Sequence, residues 1–149
     1  MPSKIPNSQS QIPPPPLLWI HGDVLSPENP AFAAYPGAPA IFVWDDDLLA
    51  QGQISIKRVL FLYECLLELP VEIRRGDVAG EVLGFAEDRG VRRVVTVESV
   101  SPRFAQIRRK IEHFLPVEVL PLPPFVEYEG DFDLKRFSRY WRKAEKYVP

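Results

Sequence analysis

The sequence predicts an α/β fold, a doubly wound, five-stranded parallel sheet flanked by helices, and two observations predict it. From Leu17 onward, short apolar runs alternate with longer stretches of helical periodicity, the pattern of strands joined by crossover helices. The chain of 149 residues, 46% of them hydrophobic, suits one such domain and leaves no room for a second large one. Crossovers between parallel strands are right-handed, so a sheet wound this way opens its ligand crevice beyond the carboxyl ends of the strands, where the winding reverses.

The elements follow in order. Residues 1–16 hold Pro, Ser, Gln and Asn and end in the run Pro13 to Pro16, which lacks backbone donors and apolar periodicity; they read as a disordered or polyproline arm. The folded domain is expected over residues 17–149. Its strands are Leu17-Leu18-Trp19-Ile20, Ala40-Ile41-Phe42-Val43-Trp44, Val71-Glu72-Ile73, Val94-Val95-Thr96-Val97 and Val117-Glu118-Val119-Leu120. Between the second and third, Ile56, Val59, Leu60, Tyr63, Leu66 and Leu67 recur at helical spacing, with Lys57, Arg58, Glu64 and Glu68 on the other side. That spacing predicts a helix laid on the sheet by this apolar face. Asp77 caps the next helix, whose Val78, Val82, Phe85 and Ala86 form one stripe before Gly90 ends it. Ser101 and Pro102 open another, because a serine hydroxyl satisfies free amides and proline suits the first helical position. Its buried face is expected to be Phe104, Ile107, Ile111 and Phe114.

Composition narrows the function classes. Lys and Arg total 18 against 20 for Asp and Glu, and a net charge of -2 gives no general attraction to nucleic acid or to an anionic membrane. No apolar run reaches the roughly 18 residues of a spanning helix, and the proline-rich start is unlike a signal peptide, so a cytoplasmic protein without membrane partners is expected. Cys65, the only cysteine, lies in an apolar helical pattern and reads as core filling rather than a reactive thiol. His21 and His113 lack further ligands at zinc-binding spacing, so no metal site is expected.

Several polar residues fall where a parallel sheet places ligands. His21 and Asp23 follow the first strand. Asp45, Asp46 and Asp47 follow the second, where an acidic run suits a divalent cation or a ribose hydroxyl, or equally a solvated loop with one residue capping what comes next. Gly76 and Asp77 follow the third and offer helix amides to a phosphate, although a full glycine-rich fingerprint is missing. Glu98 and Ser99 follow the fourth and are the best placed polar pair for a small ligand. At the far end, residues 134–149 form a basic amphipathic helix with six cations against Glu145 alone, so this end carries +5 while the rest of the chain carries -7. Leu134, Phe137, Trp141, Ala144 and Val148 share one of its faces, with Tyr140 and Tyr147 at the edges. That face either packs on the sheet, docks a separate partner through Phe137, Tyr140, Trp141, Arg142 and Lys143, or, third, contacts nucleic acid directly.

The ordered set of motifs resembles a known family. Trp19-Ile20-His21-Gly22-Asp23-Val24-Leu25-Ser26-Pro27-Glu28-Asn29-Pro30-Ala31-Phe32 is similar to the opening of the amino-terminal domain of photolyases and cryptochromes, where a strand leads through a basic-basic-Asp stretch to Asp-Asn-Pro-Ala-Leu. Ala40 to Asp45 resembles the family's second strand ending in Asp. Val71 to Asp77 resembles its strand followed by Gly-Asp, and Phe137 to Lys143 its closing aromatic and basic segment. The resemblance covers about residues 17–148 and implies the Rossmann-like sheet of that family's antenna domain. His21 and Gly22 stand where family members carry arginines, which removes the charge that would pair with Asp23. Where folate-antenna members hold the pterin with an acidic residue, this chain reads Ser99-Val100-Ser101-Pro102, so a folate antenna is not supported. The family continues into a helical domain that holds FAD; ending at Pro149, this chain is expected to bind no FAD and to carry out no photorepair alone, because the flavin supplies the redox chemistry.

The resemblance therefore implies a stand-alone, non-catalytic accessory or binding module related to DNA photorepair or blue-light proteins, partnered by a separate flavin-domain protein. A second reading from another class is a small nucleotide-binding protein or enzyme that sets Asp23, Asp45 and Glu98 around a phosphate or ribose. A remnant without activity is the third.

Overall fold

The structure is a computed structural model that describes residues 14–52, 54–124, 126, 128, 130, 131, 133 and 135–147. Five short strands carry the fold: β1 (Leu17–Ile20), β2 (Ala40–Asp45), β3 (Glu72–Gly76), β4 (Val94–Val97) and β5 (Val117–Leu120). They form one all-parallel sheet in the order β3-β2-β1-β4-β5. Leu18 sits between Ala40 on one side and Val95 on the other, so β1 is central and the winding reverses between β1 and β4. This is the doubly wound, Rossmann-like arrangement expected from the sequence. Most of the arm expected over residues 1–16 lies outside the described residues, as do Leu134 and Val148 of the C-terminal stripe.

The inner strands are apolar but for Thr96, whose hydroxyl donates to the Trp19 carbonyl at 2.8 Å, and Asp45 at the end of β2, because helices cover both their faces. Leu17 and Trp19 of β1, with Ile41 and Val43 of β2, point to one face, where α4 (Val78–Asp88) and α5 (Pro102–Glu112) add Val82, Phe85, Ala86, Phe104 and Ile111. Leu18, Ile20, Ala40, Val95 and Val97 point to the other face and meet Ala31 of α1 (Pro30–Ala34). Asn29 caps α1: its Oδ1 accepts the Ala31 amide at 2.9 Å while its Nδ2 donates to the Val24 carbonyl at 3.0 Å. The Asn-Pro dipeptide is thus a buried helix start. Asp77 caps α4 as expected, accepting the Gly80 amide at 2.9 Å, and Gly90 leaves the helix at φ 63°, a left-handed value that favours glycine.

Three expectations need correction. Along α3 (Ile56–Leu67), only Leu62 and Leu66 are buried. Ile56, Leu60, Tyr63 and Leu67 do not lie on the sheet, and Ile56, Leu60 and Leu67 are 80%, 58% and 65% exposed. The helix is apolar around more than half its circumference, and the sheet accepts the stripe on one side of the expected face. Cys65 is half-buried there. On α5, Phe104 and Ile111 are buried and Ile107 half-buried, but Phe114 lies past the helix end and is exposed. The Ser101 hydroxyl makes no capping bond; instead the Ser99 hydroxyl accepts the Ser101 amide at 3.0 Å.

Two single-turn elements were not legible as periodicity: α1, and α2 (Asp46–Ala50), which Asp45 caps by accepting the Asp47 amide at 3.1 Å. The final helix is α6 (Phe137–Ala144), shorter than the expected 134–149. Ala144 is buried and Lys143 lies over the Tyr128 ring, but Phe137 and Trp141 are stacked on each other and exposed. No helix among the described residues is long and apolar enough to cross a membrane.

Candidate functional site

Beyond the carboxyl ends of β1 and β2 lies a cavity of about 160 Å³. Its wall is aromatic and aliphatic: Trp19 and Phe42 come from the strands, Trp44 from the end of β2, Leu48 from α2, Leu62 from α3 and Phe104 from α5. The strand ends put these residues together because β1 and β2 are adjacent while α5 returns over β1 from the far half of the sheet. Trp19 and Phe104 stack with ring centres 5.2 Å apart, which fixes one wall. The volume is that of a cavity which holds a single benzene-sized ring, well under the several hundred Å³ that enclose a whole drug-sized ligand.

The polar rim is His21, Asp23, Asp45, Arg58 and Arg103. His21 has both ring nitrogens engaged. Its Nε2 donates to the Val97 carbonyl at 2.9 Å, tying the end of β1 to β4, and its Nδ1 accepts the Asp23 amide at 3.4 Å. Burial pushes its pKa below the ordinary value, and the Val97 carbonyl and the Asp23 carboxylate offset this in part, so the ring is neutral near pH 7. Asp23 accepts a hydrogen bond from the Ser99 hydroxyl. A serine, an aspartate and a histidine therefore adjoin one another, but in an order that does not build a nucleophile. The hydroxyl touches the carboxylate, and the imidazole that would serve as base points at a backbone carbonyl.

Asp45 is buried and makes a two-pronged ion pair with Arg103, whose Nη2 also reaches Asp47 Oδ2 at 3.1 Å. Burial raises the Asp45 pKa, but the hydrogen bonds and charge of Arg103 outweigh it and hold the carboxyl below the usual range. Asp46 turns away to Arg75. The acidic run is thus neutralised by arginines, and among the described residues no group of three or more His, Cys, Asp or Glu is placed to hold a metal ion.

Of the seven ligand candidates, His21, Asp23 and Asp45 line the cavity and Ser99 is bonded to Asp23. Glu98 turns outward and accepts the Leu122 amide at 2.8 Å. Gly76 and Asp77 lie outside the cavity, and the Asp77 carboxylate already occupies the helix amide that a phosphate would need. The sequence reading missed Arg103 and the aromatic wall. A local signal for Arg103 exists: a cation in the first turn of a helix opposes the helix dipole and calls for a nearby anion, here Asp45 from 58 residues away. No family model matches the chain, and no curated protein is similar to it.

Proposed function

We propose that the chain is a non-catalytic binding module of the photolyase and cryptochrome amino-terminal kind, which holds one ring of a planar ligand in the cavity beside Trp44 and the wall formed by the stacked Trp19 and Phe104. The observation that carries this reading is the aromatic cavity at the strand ends, where His21, Asp23, Asp45 and Arg103 are committed to bonds within the protein and Arg58 alone of the charged rim has no such partner among the described residues. Groups already paired suit a site that holds and orients rather than one that transfers protons. The same reading makes the module an accessory to a separate flavin-domain protein, docked through the exposed Phe137 and Trp141 of α6 with Tyr140, Arg142 and Lys143 beside them.

The test is spectroscopic, because Trp19 and Trp44 report on the cavity. Pure protein is unfolded and the released small molecules are identified by mass spectrometry; in parallel, tryptophan fluorescence is titrated with flavin mononucleotide and with AMP. A released heterocycle absorbing beyond the tryptophans, or saturable quenching by the flavin that is lost in Phe104→Asp, supports the proposal. Binding of AMP alone favours the small nucleotide-binding protein. No released heterocycle and no quenching by either probe would overturn both.

A further inference from the structure

Helix α3 carries an apolar seam that the monomer does not use. Ile56, Leu60, Tyr63 and Leu67 are spaced four, three and four residues apart, the alternation of a coiled-coil contact line, and all four are exposed. The buried pair Leu62 and Leu66 lies on another side of the helix, so seam and sheet contact do not compete.

The charges beside the seam are arranged against the helix itself. Lys57 stands in the first turn, where the dipole favours anions, and Glu64 and Glu68 stand in the last turns, where it favours cations. Glu64 and Glu68 are also four residues apart, a repulsive spacing on one helix. Among the described residues no ion pair reaches Lys57, Glu64 or Glu68. A second α3 running antiparallel across the seam reverses each of these defects. With Leu60 opposite the partner copy's Tyr63 and Ile56 opposite its Leu67, the lysine at position 57 of each copy falls between the acidic positions 64 and 68 of the other. The two helix dipoles then oppose one another.

We infer that α3 is a self-association surface, through which two copies of this chain pair antiparallel about a two-fold axis near the middle of the helix. At about 1.5 Å per residue the 12-residue helix is some 18 Å long, so the contact is small and the dimer is concentration-dependent. The inference is independent of the ligand reading.

Sedimentation velocity of the full chain over about 1 to 300 µM tests it, since association through one weak face must follow protein concentration. The parent is expected to pass from monomer to dimer. Leu60→Glu should weaken the dimer at least tenfold while circular dichroism and melting in dilute solution stay as in the parent, because the residue is exposed. Lys57→Glu should weaken it too, and Lys57→Glu combined with Glu64→Lys should restore it. A monomer throughout the range, a dimer indifferent to Leu60→Glu, a dimer lost instead in Trp141→Ala, or a charge exchange that fails to restore association would each overturn the inference.

Discussion

The two faces of the sheet are covered very differently. On one, α4 and α5 bury Val82, Phe85, Ala86, Phe104 and Ile111 against Trp19, Ile41 and Val43, a continuous core closed at its edge by the guanidinium groups of Arg74 and Arg89 lying 4.8 and 4.2 Å from the Phe85 ring centre. On the other, right-handed crossovers place α1 and α3, but α1 is a single turn and α3 contributes only Leu62 and Leu66 to the buried set. The first face supplies stability. The second leaves apolar surface for something else, and the cavity opens at the strand ends between the two, with Leu62 on one side and Phe104 on the other.

The most severe way to break this contrast is to empty the well-covered face. Phe85→Ala is expected to cost about 3–5 kcal/mol in urea unfolding, since a fully buried ring leaves a cavity that the arginines cannot fill. A loss under about 1 kcal/mol would mean that the two faces do not differ as described.

Next in size is the ion pair that joins β2 to α5. Asp45→Ala leaves the half-buried Arg103 guanidinium with only the exposed Asp47 as partner and should cost about 2–3 kcal/mol, the scale of a lost hydrogen bond to a charged group. The loss should also follow pH. The Asp45 pKa lies below its value in the unfolded chain, so the pair contributes fully above the usual carboxylate range and is lost as pH falls through the folded value. Parent and variant should therefore converge in acid, as read by unfolding midpoints.

His21 gives a smaller effect at higher pH. Its folded pKa is lowered from 6.5, so the unfolded chain takes up the proton first and stability declines as pH falls below 6.5 toward the folded value. His21→Gln should flatten that stretch of the curve. A variant that keeps the parent's slope would place the titrating group elsewhere.

How much of this was legible in the sequence depends on the range over which each feature is encoded. The five strands, the cap at Asp77 and the helix end at Gly90 lie in local order, as apolar runs or residues with one suitable backbone role. Single turns such as α1 and α2 are too short for periodicity. Helix α3 shows why pattern alone misled: Ile56, Leu60, Tyr63 and Leu67 form one stripe and Leu62 and Leu66 another, and only the geometry of the sheet chooses between them. At the site, His21, Asp23 and Asp45 were recognisable as polar groups after strands. Their partners Val97, Ser99 and Arg103 come from the other half of the winding, and no local spacing reveals those pairings.

Trp141→Ala sharpens the comparison on a third surface. The side chain is 41% exposed and stacks on Phe137 with ring centres 6.0 Å apart, so its loss should cost about 1 kcal/mol rather than the 3–5 kcal/mol of a buried ring. Melting of the variant beside the parent measures this. A cost at the upper value would put α6 in the core and remove it as a docking surface.

The smallest expected effect is the one that speaks most directly to the two faces. Leu60 and Leu66 sit six residues apart on one helix, the same side chain in two settings, with Leu60 exposed and Leu66 buried. Leu66→Ala should cost about 2–3 kcal/mol, whereas Leu60→Ala should change the stability of the dilute monomer by no more than about 0.5 kcal/mol. Because folding and pairing draw on different stripes, the Leu60 variant should separate from the parent only as concentration rises and the parent gains stability from association. Chemical unfolding of both variants at two protein concentrations reads the difference. If Leu60→Ala were as costly as Leu66→Ala in dilute solution, the seam would be part of the monomer's own core, and the contrast between the two faces would fail on the helix where it is drawn most sharply.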